Sequence, residues 1–381
     1  MQSQGIQQIS PPRPVGVSAA EIIGYTEDLL MQILIHLPIK SLGRFRCVSK
    51  NWNSLITHHL PPRTHPPCGL LLLVVSDELL EEEENGNYDL DPEGYEYLTL
   101  GTNRTTAPFS SIHLDDGMYI VHSTNGMLLF RNYNVYYGEY CVYSPITKQK
   151  TILPPLDNVL LNICLAYDPL VSAVDYKVIG LRKIEESYRH SLFEIVIYSS
   201  QTGLWSVSNT RLTTRLCRGY LRPVYLNGTV YWVDSYCHSG ICFDIEGEQF
   251  KDFLPPVVGY GCIAESRGHL YWVVKKKLGQ ESDDARSGMG FDVYEEMGTE
   301  ELWSLKYRID VSPIVETRYD YQDLEFLFVV GEENEDDSYA VLDNCGIILS
   351  YNFKKKSFKE EFSDHCMSDH TYLYTEVLAF H

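Results

Sequence analysis

Five segments between residues 141 and 362 repeat one pattern: a strand with an aromatic residue in it, a polar turn, and a second strand. They read CVYSPITKQKTIL, IVIYSSQTGLWSV, ICFDIEGEQFKDFL, FDVYEEMGTEELWSL and LSYNFKKKSFKEEF. Their marker aromatics, Tyr143, Tyr198, Phe243, Tyr294 and Tyr351, are 55, 45, 51 and 57 residues apart. A hairpin that recurs at such intervals fits the four-stranded blade of a β-propeller, where each unit buries its apolar faces only by stacking on its neighbours. Gly69–Leu100 can supply one more unit. A second element, STNGMLLF, YLNGTVYW and ESRGHLYW, is centred on Gly126, Gly228 and Gly268. Glycine permits the tight turn, and the apolar run after it suits a buried strand. The interval from glycine to aromatic is 17, 15 and 26 residues, and KKKLGQESDDARSG fills the longest. This uneven register leaves the blade number open at six or a similar count.

The chain before residue 69 has another texture. Residues 1–20 are rich in Gln, Ser and Pro and read as a flexible leader. Residues 21–60 carry short helical patterns. Thr26 suits a helix N-cap, with Glu27 and Asp28 at the positive end of the helix dipole. Leu29, Leu30, Ile33, Leu34 and Leu37 form one apolar stripe, and Pro38 stops the helix. Met31 and Ile35 widen the apolar arc to roughly 240°, which leaves Asp28, Gln32 and His36 for water. A helix on the surface of its own domain needs one apolar face; this one has two. Two shorter stripes follow, Leu42, Phe45 and Val48, then Trp52, Leu55 and Ile56. Three such helices cannot bury enough surface alone, so the module is expected to complete its core on another protein. Residues 61–68 contain PPRTHPPC and read as a stiff, proline-rich linker.

EDLLMQIL, LPIKSL and RFRCVSKNWNSLI, in that order, resemble the plant form of the F-box. One position departs from the pattern: Tyr25-Thr26 stand where the family has Leu-Pro. The downstream pieces STNGMLL, VYSPITKQKTILPP, LAYDPLVSAVDYKVIGL, YLNGTVYW, FDIEGEQFKDFLPP and GHLYWV resemble the F-box-associated, kelch-like domain. Together the two resemblances run from Tyr25 to His381. They imply a mainly β protein with a small α-helical N-terminal module, a three-helix F-box followed by a β-propeller-like domain at 69–381. They also imply a non-catalytic, substrate-recognition subunit of a Skp–cullin–F-box ubiquitin ligase. Its partners would be a Skp-type adaptor, the cullin and RING subunits reached through it, and an unknown target protein. The adaptor contacts expected on this basis are Tyr25, Leu29, Ile33, Leu37, Pro38, Leu42, Cys47, Val48 and Trp52, and the expected location is cytoplasmic or nuclear. The rival readings are a scaffold that joins no ligase and a sugar-acting propeller enzyme, which would need converging carboxylates or a metal.

Charge fits a protein partner. The chain carries 31 basic and 52 acidic residues, a net charge of −21. Yet every charged residue from Pro38 to Arg63 is basic: Lys40, Arg44, Arg46, Lys50 and Arg63. A basic block in an acidic protein favours an acidic partner. The low isoelectric point argues against nucleic acid as the main ligand. No apolar run approaches about 18 residues, so no membrane-spanning helix is expected. The 10 cysteines have no framework spacing and read as reduced.

Target contacts are expected from tyrosines in turns, which give large contact area at small entropic cost. The candidates are Tyr133, Tyr136 and Tyr137 in NYNVYYGEY, and Tyr319 and Tyr321 in RYDYQD. Acidic runs at Glu81–Glu84 and Glu332–Asp337 read as solvated loops first. Cys237, His238 and Cys242, or His365, Cys366 and His370, lack paired zinc-ligand spacing, so neither metal nor cofactor is expected. No phosphate-binding loop, dinucleotide fingerprint or nucleophile elbow is present.

Overall fold

A computed structural model describes residues 27–34, 45, 48–50, 52, 55, 69–74, 94–100, 109–113, 117–132, 134–135, 138–157, 159–169, 171–172, 174–186, 191–214, 222–234, 239–257, 259–276, 289–297, 303–315, 319, 321–332, 334–363 and 371–375. The chain divides into two compact units, Met1–Arg63 and Thr64–Ala379. In the first, α1 (Glu27–Leu34) is the described helix.

The second unit is a β-propeller of six four-stranded antiparallel blades. Strands β1 (Gly69–Val74), β2 (Gly94–Thr99) and β3 (Ser111–His113) begin blade one. Blade two is β4 (Met118–Thr124), β5 (Met127–Asn132), β6 (Glu139–Ser144) and β7 (Gln149–Ile152). Blade three is β8 (Asn162–Ala166), β9 (Lys177–Glu186), β10 (Ser191–Ser199) and β11 (Leu204–Thr214). Blade four is β12 (Val224–Leu226), β13 (Thr229–Asp234), β14 (Ser239–Asp244) and β15 (Gln249–Phe253). Blade five is β16 (Gly261–Ser266), β17 (His269–Lys275), β18 (Gly290–Glu296) and β19 (Trp303–Asp310). A single helical turn, α2 (Ser312–Val315), leads to blade six. That blade is β20 (Leu324–Val330), β21 (Tyr339–Asn344), β22 (Ile347–Asn352) and β23 (Ser357–Ser363). The last strand, β24 (Tyr372–Tyr374), returns to complete blade one by pairing with β1, Gly69 opposite Tyr374. The innermost strands lie side by side, β24 on β4, β4 on β8, β8 on β12, β12 on β16 and β16 on β20, and so surround the axis.

Packing follows from strand alternation, because successive side chains point to opposite faces. Leu71 and Leu73 of β1 pack toward blade two, among Ile120, Leu128 and Phe130. Leu70 and Leu72 pack the other way, toward Val330, Val341 and Ile348 of blade six. Blades two and three share Leu129, Val142, Leu165 and Val178; blades three and four share Ile179, Ile195, Val230 and Trp232. Phe253 and Trp272 join blades four and five, and Phe291, Val293 and Leu342 join five and six. Every blade is thus apolar on both faces because both are covered, which is why the strands read as continuous apolar runs.

The turns carry the repeat. The five marker aromatics all sit on the third strand of their blades, in β6, β10, β14, β18 and β22. Asn125-Gly126, Asn227-Gly228 and Arg267-Gly268 join first to second strands with positive φ at both residues, the two-residue turn that matches strand twist. A Cβ at Gly228 or Gly268 would meet nothing within 4 Å, so backbone angle and not space selects glycine there. Between third and fourth strands, Lys148, Gly203 and Lys356 hold positive φ. Their N–H groups donate to the carbonyls of Ser144, Ser199 and Asn352 at 2.8, 2.8 and 2.9 Å.

Candidate partner-binding surfaces

Helix α1 separates its apolar residues into two pairs, each four residues apart and so one above the other. Leu30 and Leu34 are fully buried, and Leu55 is buried as well. Leu29 and Ile33, about 100° round the helix, are 43% and 42% exposed. Val48 is 59% exposed. Phe45 meets Trp52 edge-on with ring centroids 5.4 Å apart. The Ser49 hydroxyl accepts from the Trp52 N–H at 3.1 Å, the geometry of an N-cap. Of the expected adaptor contacts, then, Leu29, Ile33 and Val48 lie open, and Trp52 is half-buried against Phe45. Tyr25, Leu37, Pro38, Leu42 and Cys47 lie outside the described residues.

In an antiparallel blade the first–second and third–fourth connections share one rim, and the others share the opposite rim. Gly69 and Tyr374 mark the rim of tight turns, so the chain enters the propeller there. Tyr319 and Tyr321 belong to the opposite rim, between β19 and β20. Tyr321 needs correction as a target contact: it is buried in the core between blades five and six. Its hydroxyl donates toward the carbonyls of Lys276 at 2.6 Å and Gly290 at 3.0 Å, and accepts from the Gly290 N–H at 3.1 Å. The Lys275 ammonium lies 4.9 Å from its ring centroid. A turn tyrosine has become a bolt between blades. Tyr319 is half-buried on the same core, with its hydroxyl 3.2 Å from Glu360. Tyr133, Tyr136 and Tyr137 lie outside the described residues.

The acidic run near Glu335 is a short 3-10 turn, Glu335–Asp337, capped by Asn334. Lysines hold it: Lys354 is 3.3 Å from Asp336, Lys355 3.9 Å from Asp337, and Lys306 3.6 Å from Glu335. Its charge is shared with the neighbouring hairpin, which weakens it as a lure for a basic target.

One polar group near the axis was not visible as a motif. His122, on β4, is buried. Its Nε2 lies 3.1 Å from the Pro223 carbonyl and 3.4 Å from Cys164 Sγ, while the Leu165 N–H donates to Nδ1 at 3.4 Å. An acceptor at one nitrogen and a donor at the other fix the neutral imidazole with its proton on Nε2. Burial lowers its pKa to about 4 and pushes the Cys164 thiol well up. The pair is neutral and ties blades two, three and four together. Among the described residues no group of three His, Cys, Asp or Glu side chains could hold a metal. Cys242 is buried, and Cys237, His238, His365, Cys366 and His370 lie outside the described residues.

Residues 102–336 match the F-box associated beta propeller domain, and residues 26–64 match the F-box domain. F-box protein At5g07610 of Arabidopsis thaliana is 29% identical over 95% of this chain and 92% of its own length. F-box/kelch-repeat protein At3g23880 of the same plant is 26% identical over 64% of this chain and 69% of its own. Among solved structures, a chain of the nidogen/laminin complex aligns with a TM-score of 0.44 at 12% identity, covering 81% of this chain and 97% of that one. The fold and the two matched segments define a β-propeller protein with an N-terminal F-box. The chain belongs to the family of F-box proteins with an F-box-associated β-propeller. Proteins of this kind generally bind a Skp-type adaptor and are non-catalytic.

Proposed function

We propose that this chain is the substrate-recognition subunit of a Skp–cullin–F-box ubiquitin ligase. The open face of α1 docks the Skp-type adaptor, cullin and RING subunits follow through that adaptor, and the propeller holds the target protein. The observation that carries this reading is the division of α1: Leu30 and Leu34 are buried while Leu29 and Ile33 stay open, inside a segment that matches the F-box. The receptor supplies proximity. It holds a target lysine near the conjugating enzyme's thioester and raises the effective concentration of the reaction. No residue of this chain is assigned to bond making, and its place of action is the cytoplasm or nucleus.

Co-purification of the full chain with a Skp adaptor and a cullin tests the reading. The intact chain retains both; Leu29→Asp with Ile33→Asp loses both while the propeller stays folded. Buried apolar anchors of an interface cost about 2 kcal/mol or more when removed, roughly a thirtyfold loss of affinity. Retention of the adaptor by the double variant would sink the proposal. The Tyr25-Thr26 pair, standing in place of Leu-Pro, favours a second reading, a scaffold that joins no ligase. That reading wins if the intact chain fails to bring down cullin at micromolar concentration.

A further inference from the structure

The outermost strands of the six blades are not alike. An outer strand presents unpaired N–H and C=O groups, and proteins blunt such edges with shortness or charge. β3 has 3 residues, and β7 has 4 with Lys150 among them. β15 has 5 residues with Lys251 and Asp252. β19 carries Lys306, Arg308 and Asp310, and β23 carries Lys359, Glu360 and Glu361. β11 has 11 residues, LWSVSNTRLTT, and a single charge, Arg211. It is the longest outer strand, and its first seven residues carry no charge.

Two of its exposed residues, at the start of the strand, are apolar. Leu204 is 66% exposed and Val207 is 53% exposed. The register with β10 breaks between Glu194 and Val196, opposite Ser208–Thr210, and divides the edge into two runs. The break is anchored, because the Thr210 hydroxyl donates to the Glu248 carbonyl at 2.6 Å. The run before it is held from behind, because the Trp205 indole N–H donates to the Pro154 carbonyl at 2.8 Å. Ser206 is tied as well, its hydroxyl 3.3 Å from the Ile197 carbonyl. β11 ends its sheet, and among the described residues the outer side of Trp205–Val207 meets no backbone partner. It is an uncharged strand edge that carries two exposed apolar side chains.

We propose that Leu204–Val207 is a strand-addition site that takes an extended segment of a partner protein as a fifth strand on blade three. An extended backbone matches a row of alternating donors and acceptors and displaces the water bound there. No residue from Leu204 to Thr210 is charged, so the incoming segment is uncharged and rich in β-branched residues. Its alternate side chains meet Trp205 and Val207 on one face, Leu204 and Ser206 on the other. The proposal deepens the receptor reading and rests on it, because it says where and in what form the propeller holds a target.

The test uses the full chain without adaptor, so adaptor docking and strand addition are scored separately. A phage-displayed library of random dodecamer peptides is panned against it, and the selected peptides are synthesised. Enriched peptides alternate β-branched residues and slow amide exchange in Leu204–Val207. Leu204→Lys and Val207→Lys each weaken the peptides about tenfold or more, as charge on an edge strand does, with thermal unfolding unchanged. Ile152→Lys, an equally exposed apolar residue on β7, leaves binding unchanged. Three results overturn the proposal: no selected peptide slows exchange in this strand, the lysine variants bind as the parent does, or Ile152→Lys weakens binding equally. Self-association abolished by the same lysines also overturns it, since the edge would then belong to a second copy of the chain.

Discussion

Helix α1 and strand β10 carry the same kind of sequence, apolar on two sides, and meet different fates. In β10, Phe193, Ile195 and Ile197 pack toward blade four, Val196 and Tyr198 toward blade two, and all five are buried. In α1 one pair is buried and the other pair, Leu29 and Ile33, stays two-fifths exposed. The ring supplies cover for both faces of β10, one from blade two and one from blade four. α1 has cover for one. Full burial of a leucine or isoleucine stabilises by roughly 1.5–3 kcal/mol, so covering the rest of this pair yields about 2 kcal/mol in all. Micromolar association needs about 8 kcal/mol. Docking therefore requires more of the module than these two side chains.

Substitutions and pH put numbers on the contrast. The largest effect belongs to a side chain covered on all sides. Trp232 is fully buried between blades three and four, and its indole N–H donates to Asn162 at 3.1 Å. Trp232→Ala lowers stability by about 3–5 kcal/mol in denaturant unfolding. A loss under about 1 kcal/mol would mean that the blades do not depend on each other's cover.

Next comes acid. His122 has its pKa lowered to about 4 from an ordinary 6.5. The unfolded chain therefore takes up this proton as pH falls through 6.5, while the folded chain resists until about 4. The imidazole contributes stability above pH 6.5 and loses it between pH 6.5 and about 4, on the order of 3 kcal/mol. Protonation would also turn Nδ1 from acceptor to donor against the Leu165 N–H. His122→Gln flattens the stability profile in that window relative to the parent. Parallel profiles for the two proteins would show that the histidine is not buried neutral.

Smaller again is Tyr321→Phe. It keeps the ring and removes the hydroxyl that serves Lys276 and Gly290, leaving the buried Gly290 N–H without that acceptor. The expected loss is about 1–3 kcal/mol, measured by thermal unfolding, with blades five and six the first to gain exchange.

These residues also mark what the chain discloses in one dimension. The hairpin repeat is local, so the marker aromatics located the third strand of five blades. The tight turns are local too: glycine marked Gly126, Gly228 and Gly268, while the positive φ of Asn125, Asn227 and Arg267 before them was not read from the sequence. Ring closure by Tyr372–Tyr374 is not local: its partner is β1, at the other end of the propeller. Tyr321 failed for the same reason, since RYDYQD reads as a turn while the groups that capture its hydroxyl lie 31 and 45 residues away. In α1 the sequence named one stripe of five residues and could not divide it. Leu29 and Leu30 are chemically identical neighbours, and only packing makes one a core residue and the other a surface.

That division sets the smallest stability effect and the sharpest use of the comparison. Leu29→Ala and Ile33→Ala remove apolar atoms that already face water, and alanine favours a helix. Each should shift stability by less than about 0.5 kcal/mol. Leu30→Ala and Leu34→Ala, on the same helix and of similar size, should cost about 2–5 kcal/mol each. Hydrogen exchange across α1 in the four variants separates the pairs without any partner present. If Ile33→Ala frees the helix as fully as Leu34→Ala, the open face is covered in solution by this chain itself. α1 would then resemble β10, and the module would need no second protein to finish its core.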